Sequence, residues 1–398
     1  MNYERPLLST LCTVLSRPTP VIHVLIGPRQ VGKTTIARQI ESSIGIPTVY
    51  ASADSPVPLD STWIDTHWRR VVTDGSAAGS PRLLILDEVQ KVRGWSETIK
   101  LLWDNRPAAP EIRVLILGSS SLLMQEGLTE SLAGRFFLHC CNHWSYPECR
   151  DAFGWGLEQW IYFGGYPGAA SFTENESSWK RYIADSLIET VLARDVLQMS
   201  KVAKPVLLRH LFALAATFPA QYLSYTKMLG QLQDAGNTTT LAHYLKLLES
   251  AFLVSGLELF SRGWQRKRGS SPKLVLWNNA LVNALSTRTF TDAIGDTIWW
   301  GRLVENAVGA FFCNSLHSVE YTITYWREGV NEVDFVISRG RDIWAIEVKS
   351  SRSGKAPGLT RFLARYPEAQ AILVGGQGIP LEEFFSRDAV SWLPPRQP

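Results

Sequence analysis

Gly27-Pro28-Arg29-Gln30-Val31-Gly32-Lys33-Thr34-Thr35 decides how the N-terminal part of this chain folds. The stretch fits G-x-x-x-x-G-K-[ST], and its flanks agree with that pattern. His23-Val24-Leu25-Ile26 is a short apolar run suited to a buried strand, and Ile36-Ala37-Arg38-Gln39-Ile40 reads as the opening turns of a helix. Strand, glycine-rich loop and helix N-terminus together predict a phosphate cradle, because backbone N–H groups and the positive helix end aim at one anion. Gly27 and Gly32 let the backbone come close to the phosphate oxygens. Gly27, Gln30, Gly32, Lys33, Thr34 and Thr35 are the expected nucleotide contacts. Lys33 is expected on the β- and γ-phosphates and the Thr34 hydroxyl on Mg²⁺.

Working outward, Pro47-Thr48-Val49-Tyr50-Ala51 reads as a second strand, and residues 52–80 read as loops around one short helix. Leu83-Leu84-Ile85-Leu86 then runs into Asp87-Glu88. An apolar strand that ends in acids predicts a buried parallel strand delivering carboxylates at its C-terminal edge, where ligands sit in open α/β sheets. Asp87 is expected in the Mg²⁺ shell and Glu88 as the residue that polarises the attacking water. Val114-Leu115-Ile116-Leu117 is a further strand ending in Gly118-Ser119-Ser120-Ser121. Ser119 or Ser120 could position water there, and a helix cap would read the same. In Leu132-Ala133-Gly134-Arg135, Arg135 could stabilise phosphoryl charge in a neighbouring subunit or form a structural ion pair.

Gly27–Thr35, Leu84–Gln90, Leu117–Ser121 and Ser131–Arg135, in this order, resemble the AAA-type ATPase family whose members carry a C-terminal domain of unknown function. The likeness continues through Gly164-Gly165-Tyr166-Pro167 and Glu189–Asp195 and covers nearly the whole chain. It implies an ASCE-type P-loop fold with a small helical lid, and says little about the substrate.

Beyond that core, apolar residues recur at helical spacing through Trp179, Tyr182, Ile183, Leu187 and Val191. A second helix is expected over Lys204–Ala216, a third after Ser224 and a fourth after Asn237, followed by strands at Leu253–Phe260 and Lys273–Trp277. Three helices and a long-tipped hairpin predict a winged helix. Thr239, Thr240, His243 and Lys246 would face DNA, with Arg262, Arg266, Lys267 and Arg268 at the hairpin tip around Trp264. A solvated basic turn used for subunit contacts is the plainer alternative.

Near the C-terminus, helical spacing over Leu303–Phe312 leaves Glu305 at the edge of the apolar stripe. Glu332–Ile337 and Ile343–Lys349 form an alternating hairpin that sets Asp334 beside Glu347 and Lys349. An acid on a helix, an acid on one strand and E-x-K on the next resembles the PD-(D/E)XK nuclease-like fold. Hard oxygen ligands at Glu305, Asp334 and Glu347 would then hold Mg²⁺ or Mn²⁺, with Lys349 helping to activate water. Such domains also occur as scaffolds that hold DNA without cutting it.

The 398 residues are 45% hydrophobic and 19% charged, with net charge +3, which by itself gives no argument for nucleic acid. The 5 cysteines lack C-x-x-C spacing, so neither a zinc site nor a disulfide framework is visible. A polar Met1–Pro6 and the absence of long apolar runs predict a cytoplasmic protein without a membrane partner. The expected architecture is an α/β P-loop ATPase core (1–145), a helical lid (146–200), a winged helix (201–285) and a C-terminal α/β PD-(D/E)XK nuclease-like domain (286–398). The expected function is an ATP- and Mg²⁺-dependent motor that remodels or translocates on duplex or branched DNA, branch migration included. A homo-oligomer, with a hexameric ring as one form, is the implied assembly. An ATP-gated nuclease and an ATPase switch acting on a protein partner are the rivals.

Overall fold

The computed structural model describes residues 3–73, 80–118, 128, 131–196, 202–232, 236–262, 271–316, 320–350 and 356–395, with the side chains of 194 and 195 outside that set. The chain divides into two compact units, Met1–Asn142 and His143–Pro398.

The first unit is built on a five-stranded sheet in the order β2-β3-β4-β1-β5. Its strands are β1 (Ile22–Ile26), β2 (Thr48–Ser52), β3 (Arg82–Asp87), β4 (Ile112–Gly118) and β5 (Phe136–Cys140). Every pairing in it is parallel. The apolar runs of β1, β3 and β4 are buried along their whole length, as strands covered on both faces require. The helix Lys33–Ser43 follows the glycine-rich loop directly and buries Ile36, Ala37 and Ile40. A helix at Pro6–Leu15 was not expected. It starts on a proline, which loses nothing at a position whose N–H has no intrahelical partner, and buries Leu8, Leu11 and Leu15 on one stripe. β5 was also missed, because Phe136-Phe137-Leu138-His139-Cys140 is a half-buried edge strand of mixed polarity.

The second unit carries a seven-stranded mixed sheet in the order β12-β11-β10-β9-β7-β8-β6. Its strands are β6 (Gln221–Tyr222), β7 (Val254–Leu259), β8 (Lys273–Leu276), β9 (Thr322–Glu328), β10 (Asn331–Arg339), β11 (Asp342–Lys349) and β12 (Gln370–Gly375). The helices Pro205–Thr217, Tyr225–Gln231 and Thr238–Ser250 precede the β7–β8 hairpin, and Ser224 and Asn237 cap the latter two through their side chains. Helical structure over Glu176–Arg181 continues as π-helical turns at Tyr182–Ile188 and Val191–Val196.

This sheet crosses the expected boundary at residue 285. β7 pairs in parallel with β9, Glu258 opposite Thr324 and Leu259 opposite Tyr325, so one sheet runs across residue 285. The stretch expected as a separate lid belongs to the same compact unit. Asn279 Nδ2 donates to the carbonyls of Ile161 (2.8 Å) and Leu303 (2.9 Å). Asn283 Nδ2 donates to the Tyr162 carbonyl at 2.7 Å, and Asn306 Nδ2 to Asn279 Oδ1 at 2.7 Å. These asparagines are buried, and each satisfies a polar group from another of the expected domains. Composition does not reveal such a network, because its partners, most of them main-chain atoms, are far away in sequence.

Candidate nucleotide site and C-terminal carboxylate cluster

In the first unit β1 leads into Gly27, where an added Cβ would lie 2.0 Å from the Cys141 carbonyl oxygen. Only glycine lets the loop pass that close to the neighbouring chain. Gln30 (φ 58°) and Gly32 (φ 97°) are left-handed, and such alternation turns successive N–H groups toward a common concavity. Lys33 begins the helix and is buried, its Nζ donating to the Gly27 carbonyl at 2.8 Å and the Pro28 carbonyl at 2.6 Å. Burial pulls the Lys33 pKa down, against the opposing influence of Cys141, Glu88 and Asp87. An ammonium held by loop carbonyls is placed to turn toward a phosphate that displaces them. Thr35 is exposed on the first helical turn.

Thr34 and Asp87 meet, Thr34 Oγ1 donating to Asp87 Oδ2 at 2.7 Å. Asp87 is 2% exposed at the C-terminal end of β3. A hydroxyl and a buried carboxylate, both hard oxygen donors, fit Mg²⁺. Glu88 is left-handed (φ 55°), and its Oε2 accepts from Gln90 Nε2 at 2.7 Å, with Lys91 Nζ at 3.7 Å. Ser119 and Ser120 lie outside the described residues, one step past the end of β4 at Gly118. Arg135 makes a two-pronged ion pair with Asp104, Nε to Oδ1 at 2.8 Å and Nη2 to Oδ2 at 3.0 Å.

Sequence reasoning missed Tyr50. Its hydroxyl donates to the same Asp87 Oδ2 at 2.8 Å, and the Arg38 guanidinium sits 3.4 Å from the centre of its ring. Burial and the Asp87 carboxylate push the Tyr50 phenol well above its ordinary range, so it stays a donor. The available signal was position: parallel register sets Ser52, two residues after Tyr50, opposite Asp87.

In the second unit, the helix Thr297–Ser315 and strands β10 and β11 bring the expected acids near one another, together with two residues the sequence reading did not name. Ligand oxygens of Glu305, Glu332 and Asp334 lie within 4.8 Å of one another. Among them sits Lys273 of β8, 0% exposed, with Nζ 2.6 Å from Glu305 Oε1, 3.4 Å from Glu332 Oε1 and 3.6 Å from Asp334 Oδ1. Burial alone would lower the Lys273 pKa, but Glu305, Asp334 and Glu332 outweigh it and hold the ammonium above its ordinary range. Burial pushes the Glu305 carboxyl up to about 7 against the pull of Lys273. Glu347 lies outside this group of three but near enough for the Asp334 charge to act on it. Its Oε1 accepts from Lys349 Nζ at 2.6 Å, its Oε2 is buried with no hydrogen-bond partner, and burial with Asp334 pushes it up to about 7. Asp334 Oδ2 accepts from the Val348 N–H at 2.8 Å, which locks β10 to β11 beside the cluster.

The expected DNA-facing residues divide. Thr239, His243 and Lys246 are exposed on the helix Thr238–Ser250, whose other face buries Leu241, Tyr244, Leu245 and Leu248. Thr240 is taken up in the helix cap, its N–H and Oγ1 both donating to Asn237 Oδ1. Arg262 pairs with Glu368 at 2.8 Å, and Trp264, Arg266, Lys267 and Arg268 lie outside the described residues.

Comparison with known proteins agrees with the first unit. Residues 19–149 match the family described as AAA domain. Residues 154–292 match a domain of unknown function (DUF8612), and residues 300–385 another (DUF4143). No curated protein matches the chain. Among solved structures, a Walker-type ATPase of Pyrococcus abyssi is similar at 13% identity, over 71% of this chain and 95% of that one, with a TM-score of 0.46. Residues 19–149 are thus similar to an AAA domain, and the P-loop of the first unit lies on a parallel sheet.

Proposed function

We propose that the chain is a Mg²⁺-dependent ATPase whose nucleotide turnover acts on DNA, duplex or branched. The observation that carries the ATPase half is the convergence of Lys33, Thr34, Asp87 and Glu88 at the C-terminal edge of one parallel sheet. Lys33 would leave the Gly27 and Pro28 carbonyls for the terminal phosphates, where its charge offsets that of the transferred group. Thr34 and Asp87 would hold Mg²⁺, which supplies charge neutralisation on the phosphate oxygens. Glu88 is the candidate to orient the attacking water, and its bond to Gln90 keeps the carboxylate in place until then. A homo-oligomer is part of the proposal, in which Arg135 would serve a neighbouring copy only by leaving Asp104.

The DNA half draws support from the exposed row of Thr239, His243 and Lys246, and from the run of Arg266, Lys267 and Arg268 in the sequence. ATP turnover of the full chain, measured alone and with single-stranded, duplex and four-way-junction DNA, tests both halves. Stimulation by DNA, lost in Lys33→Ala and weakened by charge reversal at Arg266, Lys267 and Arg268, is the expected result. Turnover indifferent to every polynucleotide, with none bound, overturns the DNA half and leaves the protein-partner switch. No turnover under any condition overturns the ATPase half.

A further inference from the structure

The carboxylate cluster of the second unit is not built like a vacant metal site. A divalent ion there would sit roughly 2.0–2.6 Å from oxygens of Glu305, Glu332 and Asp334. That space is held by the Lys273 ammonium, which approaches one oxygen of each of these acids. It also donates to the Asp334 main-chain carbonyl at 3.0 Å and lies 4.8 Å from the centre of the Phe335 ring.

We infer that Lys273 is a built-in cation that replaces the divalent ion of this cluster, so that the second unit neutralises its acids without Mg²⁺ or Mn²⁺ and does not cut phosphodiesters. This inference is independent of the nucleotide site.

Three features of the fold support it. First, Lys273 has nowhere else to go. β8 is paired on both sides, with Lys273 opposite Leu257 of β7 and Tyr222 of β6, and the side chain has no exposed surface. A buried ammonium is tolerated only where acids surround it, and this one has them. Second, most of the neighbouring charge is already paired, three basic side chains standing against the four acids Glu305, Glu332, Asp334 and Glu347. Arg302 Nη1 lies 3.4 Å from Glu305 Oε2, and Lys349 holds Glu347. A divalent ion added to this set would face three basic side chains, Lys273 nearest. Third, the E-x-K lysine is hydrogen-bonded to its own glutamate, Nζ to Oε1 at 2.6 Å. Glu347 lies outside the trio, but its carboxyl feels the Asp334 charge and its Oε2 has no hydrogen-bond partner, so Glu347→Gln belongs in the test beside Glu332→Gln.

The test is Mn²⁺ binding to the nucleotide-free full chain, followed by electron paramagnetic resonance of the unbound ion. Wild type, Glu332→Gln and Glu347→Gln are expected to bind the same number of ions, because the cluster contributes none. Lys273→Met removes the internal cation and leaves the acids, and is expected to bind one ion more and to gain thermal midpoint on adding Mn²⁺, where wild type gains none. Should Lys273→Met not fold, wild type, Glu332→Gln and Glu347→Gln decide alone. An ion bound by wild type and lost in Glu332→Gln or Glu347→Gln overturns the inference. So does Mn²⁺-dependent DNA cleavage by wild type that Glu347→Gln abolishes, or a folded Lys273→Met that gains no ion.

Discussion

Replacing Tyr50 by Phe tests whether the acid of the nucleotide site is held by a residue that no phosphate-loop pattern names. The substitution removes one oxygen and keeps the ring, so the Arg38 guanidinium keeps its seat 3.4 Å away. What disappears is a donor to Asp87 Oδ2 at 2.8 Å; among the described residues that atom also accepts from Thr34 Oγ1 at 2.7 Å. A hydrogen bond to a charged group contributes about 1.5–3 kcal/mol, and Tyr50 is only partly buried, so the lower end applies. The loss falls unevenly. With Mg²⁺ absent, Thr34 still holds Asp87. With Mg²⁺ bound, Asp87 serves the nucleotide through the ion. The Thr34 oxygen gives the ion a lone pair while its O–H still serves Asp87, so losing Tyr50 removes one of the donors that orient the carboxylate toward Mg²⁺. About 1.4 kcal/mol corresponds to a tenfold change in an equilibrium constant, so the Mg²⁺ concentration for half-maximal effect should rise about tenfold. Binding of a fluorescent ATP analogue across a Mg²⁺ series reads this directly, and its Mg²⁺-free affinity should be unchanged. Superimposable Mg²⁺ titrations for Tyr50→Phe and wild type would refute the reasoning, as would an equal loss with and without Mg²⁺.

Two further outcomes follow from the packing. His23 Nδ1 and His139 Nε2 lie 3.0 Å apart between β1 and β5, and burial, with His23 adding to it, lowers His139 from 6.5 to about 4. Between those values the unfolded chain binds the proton and the folded chain does not, so stability falls as pH drops from 6.5 toward 4, by about 1.4 kcal/mol per pH unit. His139→Leu should flatten the fall of thermal midpoint with pH over that window, and parallel profiles would count against it. At Gly358, in the helix Pro357–Arg365, an added Cβ would lie 1.7 Å from the Glu332 carbonyl oxygen, a backbone atom that cannot move aside alone. Gly358→Ala should therefore cost about 3 kcal/mol of stability in urea unfolding, whereas a change below about 1 kcal/mol would mean that the helix slides freely over β10.

The phosphate loop was legible because its chemistry is local. Gly27, Gly32, Lys33 and Thr34 are consecutive or nearly so, and the backbone that cradles an anion is the backbone that carries them. Asp87 was legible for a related reason: a run of buried apolar residues ending in acids has one natural place in a parallel sheet. The capping residues Ser224 and Asn237 were also readable, since each acts on an N–H three residues ahead. Arg135 shows the limit, because its sequence context left a finger and an ion pair open, and the fold supplied Asp104 as its partner.

What the sequence could not reveal was set by long-range placement. Tyr50 reaches Asp87 only because β2 lies beside β3 in parallel register. Lys273 meets Glu305, Glu332 and Asp334 only because β7 pairs with β9 and joins the β7–β8 hairpin to the C-terminal strands as one sheet. Pattern alone assigned Glu305, Asp334 and Glu347 to a metal and placed Lys273 in a separate domain. The phosphate loop and its strand-borne acids were thus determined by the sequence itself, through spacing along a few residues. The cation that meets the C-terminal acids was decided by the tertiary structure, because a buried charge takes its partner from whatever the fold brings within reach, at any distance along the chain.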